Sequence, residues 1–259
     1  MSKQPIGIFD SGVGGTSVFK EIQALLPHEN TIYLADSANA PYGSKSPQDI
    51  LNLSIKNTEW LLNKDCKLIV VACNTATTNA ISELRQKYNI PFIGIEPAIK
   101  PASLNSKTKA VGILATKGTL SSKLFHNTSS LYSNGVQVIE QIGEGIVPLI
   151  EEGKALSPEM ETLLKRYLKP MITANIDYLV LGCTHYPYVL PLLLKLLPKH
   201  VKIIDSGEAV AKQTKAVLVH NNTLNTSASL GKHLFYSNAS TSVMETLLGK
   251  PYQVDYLKF

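Results

Sequence analysis

Two of the chain's three cysteines stand where chemistry could be done. Cys73 closes the apolar run Ile69-Val70-Val71-Ala72, and Cys183 closes Leu179-Val180-Leu181-Gly182. Each is followed by residues able to cap a helix, Asn74 and Thr75 in one case and Thr184 in the other, which predicts a helix N-terminus beside each sulfur. Free N–H groups and the positive end of the helix dipole favour thiolate at such a place. A lone strand-end cysteine is commonly a small buried hydrophobe, but two at matching positions outweigh that reading. Cys66 has no such setting and reads as structural. His185, two residues beyond Cys183, is placed to hydrogen-bond or polarise the sulfur, with an ordinary surface histidine as the alternative.

A second group lies near the N-terminus. Asp10-Ser11-Gly12-Val13-Gly14-Gly15-Thr16 follows the apolar stretch Ile6 to Phe9 and leads into a helical pattern, a shape that can cradle an anion. It has neither a P-loop lysine nor the G-x-G-x-x-G spacing, so a nucleotide is disfavoured. Only Arg85 and Arg166 carry guanidinium groups. A bound carboxylate would therefore be held by backbone amides and hydroxyls such as that of Ser11 rather than by an arginine fork. Asp10 could serve this site or simply form an Asx turn, and Pro41-Tyr42-Gly43-Ser44 reads equally as a turn or as part of a site.

The elements that must position these residues alternate. Apolar β-branched runs at Ile6 to Phe9, Thr31 to Ala35, Leu68 to Ala72, Phe92 to Ile95, Val111 to Ala115, Val136 to Ile139, Tyr178 to Leu181 and Val201 to Ile204 predict strands. Between them, Ser17 to Leu26, Gln48 to Leu62, Thr77 to Tyr88, Pro158 to Ala174 and Pro187 to Leu197 predict helices. Continuous apolar strands alternating with helices indicate parallel sheet covered on both faces, hence an α/β class. A weak internal repeat is also present. Gly7-Ile8-Phe9-Asp10-Ser11 matches Gly112-Ile113-Leu114-Ala115-Thr116, Ile69 to Thr75 matches Leu179 to His185, and Glu96 and Asp205 follow the two cysteines at nearly the same distance. Two related units are expected, residues 1–97 together with 207–259, and residues 98–206. The tail beyond about Glu208, with a strand near Leu234 to Tyr236, is too short for a third domain and is expected to pack on the first.

At 259 residues with 44% hydrophobic and 17% charged side chains, the composition is that of an ordinary globular protein. The net charge of +5 comes from scattered lysines, without the arginine forks or basic blocks of a nucleic-acid reader. The most apolar stretch, Val189 to Leu197, is interrupted by Pro191 and Lys195 and falls short of the ~20 residues needed to span a bilayer. Three cysteines without CxxC spacing, and no apolar stretch of signal-peptide length at the N-terminus, predict a reduced cytoplasmic setting rather than a disulfide framework or a zinc knuckle.

Phe9-Asp10-Ser11-Gly12-Val13-Gly14-Gly15, Asp36 with Pro41-Tyr42-Gly43, Ala72-Cys73-Asn74-Thr75-Ala76, Pro148-Leu149-Ile150-Glu151-Glu152-Gly153 and Leu181-Gly182-Cys183-Thr184-His185-Tyr186-Pro187 together resemble the glutamate racemases of the cofactor-independent aspartate/glutamate racemase superfamily. Aspartate racemases look similar around both cysteines but more commonly carry Glu where this chain has His185. The resemblance implies two similar parallel-sheet domains in a pseudo-twofold relation, with the active site at their interface, commonly as a homodimer. It also implies interconversion of L-glutamate and D-glutamate for peptidoglycan synthesis, without pyridoxal phosphate, metal or nucleotide. By position it makes Cys73 and Cys183 the acid/base pair and places Asp10, Ser11, Tyr42, Gly43, Asn74, Thr75, Thr184 and His185 around the substrate, with Thr116, Thr119 and Glu151 nearby. Other readings are racemisation of aspartate by the same cysteines, and a two-lobed dicarboxylate-binding protein in which the cysteines are incidental.

Overall fold

The computed structural model describes residues 3–132 and 134–259. Eight strands form in the order expected: β1 (Ile6–Asp10), β2 (Thr31–Ala35), β3 (Leu68–Val71), β4 (Phe92–Gly94), β5 (Ala110–Ala115), β6 (Gln137–Ile142), β7 (Tyr178–Gly182) and β8 (Lys202–Ile204). From the tail come β9 (His233–Ser237) and β10 (Asp255–Tyr256). The helices are α1 (Thr16–Leu25), α2 (Pro47–Leu62), α3 (Asn74–Lys87), α4 (Ile99–Asn105), α5 (Lys117–Leu120), α6 (Lys123–Tyr132), α7 (Ile146–Glu151), α8 (Pro158–Thr173), α9 (Leu190–Leu196), α10 (Gly207–His220) and α11 (Ser242–Leu248). Among the described residues, no helix is long and apolar enough to cross a membrane.

The strands form two wholly parallel sheets, β10-β9-β2-β1-β3-β4 and β6-β5-β7-β8. The order β2-β1-β3-β4 is reproduced by β6-β5-β7-β8, so the sequence repeat is a repeat of topology. Register agrees as well: Gly7 pairs with Ile69, and its counterpart Gly112 pairs with Leu179. Both glycines lie in close packing: a Cβ at Gly7 would stand 3.1 Å from Cys66 Sγ, and one at Gly112 would stand 2.8 Å from Met171 Sδ. The helices lying over them are alike. α2 and α8 each begin with proline after a serine N-cap, and the Ser46 and Ser157 side chains accept the backbone N–H of Asp49 and Met160.

β1, β3 and β5 are buried along their whole length, as strands covered on both faces must be, whereas β6, at a sheet edge, is half exposed. Each large aliphatic or aromatic side chain taken fully out of water contributes about 1.5–3 kcal/mol. Phe9, Phe19, Tyr33, Phe125 and Tyr186 are among those so placed. Between the sheets the chain passes through Glu96 and returns through Ser206, and the two passages are tied by the Ser206 hydroxyl donating to the Glu96 carbonyl at 2.5 Å. α10 then packs on α1, and β9 and β10 extend the first sheet beyond β2.

Candidate active site

In parallel sheets the strand carboxyl ends are where ligands bind, and here the two sets of ends face one another. β1 delivers Asp10, β3 runs into Cys73, β5 into Thr116 and β7 into Cys183. The interface is stitched by side chains from both units. Thr75 Oγ1 lies 2.7 Å from Thr116 Oγ1 and 3.2 Å from Thr119 Oγ1. The Thr184 hydroxyl donates to Asp10 Oδ2 at 3.3 Å, and the Ser17 hydroxyl donates to the Thr184 carbonyl at 2.9 Å.

Cys73 is the N-cap of α3. Its sulfur accepts the Ala76 N–H at 3.4 Å, and its S–H points at Ser11 Oγ, 3.6 Å away. The helix terminus was expected to favour thiolate. Burial, reinforced by the Asp10 carboxylate, outweighs it and drives the Cys73 pKa well above the ordinary thiol value. Cys183 departs from expectation differently: it caps no α-helix. Residues Tyr186–Val189 form a 3-10 turn closed by Tyr186 N–H on the Cys183 carbonyl, and the sulfur lies 3.8 Å from His185 Nδ1. Cys66 is buried away from the interface with its pKa pushed up to about 12 by desolvation, the inert thiol expected of it.

His185 is buried, not at the surface. Burial by itself lowers the pKa of an imidazolium. The hydrogen bonds to Cys183 and Glu151 overcome that and hold His185 well above its usual value. Nε2 lies 2.6 Å from Glu151 Oε1, and Nδ1 lies 4.0 Å from Asp10 Oδ2. Gly14 N stands 3.3 Å from Nε2, but the carboxylate at 2.6 Å claims that nitrogen as a donor. Glu151 is also desolvated, which raises its pKa. Its bonds from His185, the Val13 N–H and the Ser37 hydroxyl bring it below the ordinary carboxyl value nonetheless.

The glycine loop meets the second unit. Its amides hold the protein's own carboxylates: Ser11 N–H and Gly15 N–H donate to the two Asp10 oxygens at 2.7 and 2.6 Å, and Val13 N–H donates to Glu151 at 2.7 Å. Asp10 turns the loop and also faces the other unit. Burial raises its pKa, with the His185 cation and these amides offsetting only part of the effect. Glycine is needed because a Cβ at Gly12 would lie 1.9 Å from Glu151 Oε1, and one at Gly14 would lie 2.2 Å from His185 Nδ1.

Tyr42 forms a buried wall. Its hydroxyl donates to Asp36 and accepts from Asn57 Nδ2 at 3.2 Å, so it is spent on holding its own loop. That loop presses Gly43 against Thr116, where a Cβ would meet the threonine Cβ at 2.8 Å. Asn74 Nδ2 donates to the Ile95 carbonyl, and Asn74 Oδ1 is buried with no hydrogen-bond partner among the described residues. A cavity of about 60 Å³ touches Cys183, Asn74, Thr184, Ser17 and Ser206. A groove of about 470 Å³ opens beside Gly43 and Thr116, with Ile142, Val147 and Pro148 on its far side. Among the described residues no group of three or more His, Cys, Asp and Glu side chains is arranged to hold a metal ion. Ser37, Thr16 and Tyr188 were not found by sequence reading. Ser37 carries no motif of its own, and the Thr16–Tyr188 hydroxyl contact at 2.5 Å exists only once the two units meet.

The family model for Asp/Glu/hydantoin racemases matches residues 6–214. A glutamate racemase from Herpetosiphon aurantiacus is 45% identical over 231 residues, covering 89% of this chain and 91% of that one. The solved structure of a glutamate racemase isoform from Bacillus anthracis superposes with a TM-score of 0.90 at 30% identity, covering 100% of this chain and 98% of the other. A Francisella tularensis glutamate racemase solved with D-glutamate gives 0.85 at 31%, with coverage of 100% and 98%. With two equivalent sheets turning matched cysteines toward one interface, and with this match running through nearly the whole chain, the protein belongs to the Asp/Glu/hydantoin racemase family.

Proposed function

We propose that this protein is a glutamate racemase that interconverts L-glutamate and D-glutamate by a two-base mechanism carried by Cys73 and Cys183, and so supplies D-glutamate for peptidoglycan. The observation that carries this reading is the placement of the two cysteines at equivalent strand ends of two facing sheets. Racemisation removes a proton from one face of Cα and returns one to the other, so two monoprotic groups on opposite sides are the simplest device. In the L-to-D direction the Cys183 thiolate takes the Cα proton and the Cys73 thiol gives its own to the opposite face; in the D-to-L direction the roles exchange. A Cys73 held as thiol in the resting protein suits the first of these.

The Cα–H is weakly acidic because the adjacent carboxylate is already charged, so the site must stabilise the developing carbanion with preorganised donors. One such donor is worth about 3–4 kcal/mol in other enzymes. Ser11, Thr75, Thr116, Thr119 and Thr184 supply hydroxyls, the Gly43 loop supplies backbone amides, and Asn74 Oδ1 offers an acceptor for the substrate ammonium. No cofactor takes part in this scheme. The working unit is a homodimer in the cytoplasm, each chain divided into residues 1–97 with 207–259, and residues 98–206.

The test is circular dichroism of L-glutamate, with L-aspartate alongside, over purified protein that shows no visible absorbance. Loss of the L-glutamate signal to zero supports the reading. An unchanged signal, with glutamate bound but its Cα proton not exchanged in D2O, would identify a binding protein instead.

A further inference from the structure

Glu151 belongs to α7, on the side of the second sheet, yet its carboxylate is held from across the interface. Oε1 accepts the Val13 N–H at 2.7 Å, and Oε2 accepts the Ser37 hydroxyl at 3.0 Å. Ser37 opens a 3-10 turn, Ser37–Asn39, just after β2. The preceding Asp36 is pinned by Tyr42 and by the side-chain amides of Asn39 and Asn238, so the hydroxyl is delivered from a fixed loop. With its two oxygens oriented by these donors, the carboxylate meets His185 Nε2 at 2.6 Å and leaves Nδ1 facing Cys183.

The titratable groups facing His185 are Glu151 on Nε2 and Cys183 and Asp10 on Nδ1. Tyr33, Tyr188 and Cys73 lie around Asp10. Of these, Glu151 is the one anion whose orientation is set by side chain and backbone of the opposite unit.

We propose that Ser37 is a positioning residue for the reaction: by clamping Glu151 across the interface it fixes the His185 ring that serves Cys183. This rests on the two-cysteine reading above.

The experiment measures kcat and KM in both directions across pH for full-length Ser37→Ala and Ser37→Thr. The enantiomers have an equilibrium constant of one, so kcat/KM must fall equally in both directions and the pH profile is the informative readout. A loosely held carboxylate stabilises the imidazolium less. In Ser37→Ala the high-pH limb of kcat/KM should therefore move to lower pH, with a loss of about tenfold at the optimum, as for one hydrogen bond to a charged group. Ser37→Thr should restore both. A limb that stays where the wild type has it, or one that Ser37→Thr fails to bring back, overturns the inference. Failure of the underlying reading would look different: wild-type protein inactive on glutamate, or activity surviving loss of either cysteine.

Discussion

Cys73 sits behind Ser11 and the first turn of α3, where burial and the Asp10 charge both oppose ionisation. A raised thiol pKa means a small thiolate fraction at neutrality, and the thiolate is what alkylates. Iodoacetamide should therefore modify Cys73 slowly at pH 7 and faster as pH rises, which peptide mapping by mass spectrometry can follow; prompt labelling at neutral pH would contradict the assignment. Replacing either interface cysteine by Ala should cost at least about 10²-fold in racemisation, the usual scale for losing an acid/base group, while Cys66→Ala should leave the rate nearly unchanged. The cysteines were legible in the sequence because each closes an apolar run. Their surroundings were legible in part: the helix N-terminus at Cys73 and His185 beside Cys183 were read, whereas the cap expected at Cys183 is absent and the glutamate holding the histidine comes from another element.

Among the elements, the strands were readable to within a residue or so, because a strand buried on both faces shows as an unbroken apolar run. β6 was read short, since at a sheet edge Glu140 and Gln141 break the pattern. Although α1 and α9, also of ten residues or fewer, were read from their apolar pattern, the short helices α4, α5, α6 and α7 escaped. One of them, α7, carries Glu151, so the clamp on His185 became visible only in three dimensions. The glycine loop was read as an anion cradle, and its amides at Ser11, Val13 and Gly15 hold the carboxylates of Asp10 and Glu151. Its packing makes a sharp prediction. A Cβ at Gly12 meets the tip of a flexible glutamate, which can swing aside at the cost of its bonds. A Cβ at Gly14 meets a buried ring with nowhere to go. Gly14→Ala should therefore lose more activity than Gly12→Ala, roughly 10²-fold against tenfold, with far-ultraviolet circular dichroism unchanged in both. Full activity in Gly14→Ala would show that the ring is not held against the loop.

At the scale of the molecule, the Glu151–His185 pair, which lies within the second unit while Glu151 also holds Val13 and Ser37 of the first, links stability to pH. Glu151 titrates below the ordinary 4.5, so its contribution is complete above that value and is lost as acid carries it through its lowered pKa. His185 titrates above 6.5, so its contribution is complete below 6.5 and is lost as pH rises through its raised pKa. Both act together between these limits. The melting midpoint of Glu151→Gln should fall below that of wild type by about 2–4 °C within that window, and the gap should narrow on either side. A gap constant with pH would show that the pair contributes no charge-dependent cohesion.

The route of the chain through the two sheets also imposes an order of events on synthesis. β9 pairs with β2 in the register Thr31 to His233, and all four strands of the second sheet are made between them. A chain emerging from the ribosome thus completes its later-coded sheet before its earlier-coded one, and the flank of β2 stays without a neighbour until His233–Ser237 is out. An unpaired parallel strand with the composition Thr-Ile-Tyr-Leu-Ala is a ready template for pairing with another nascent chain. Ribosome-bound chains halted before His233 clears the exit tunnel should resist protease over the β5–β8 region while remaining sensitive around β1 and β2, and translation pauses in that stretch should raise the aggregated fraction.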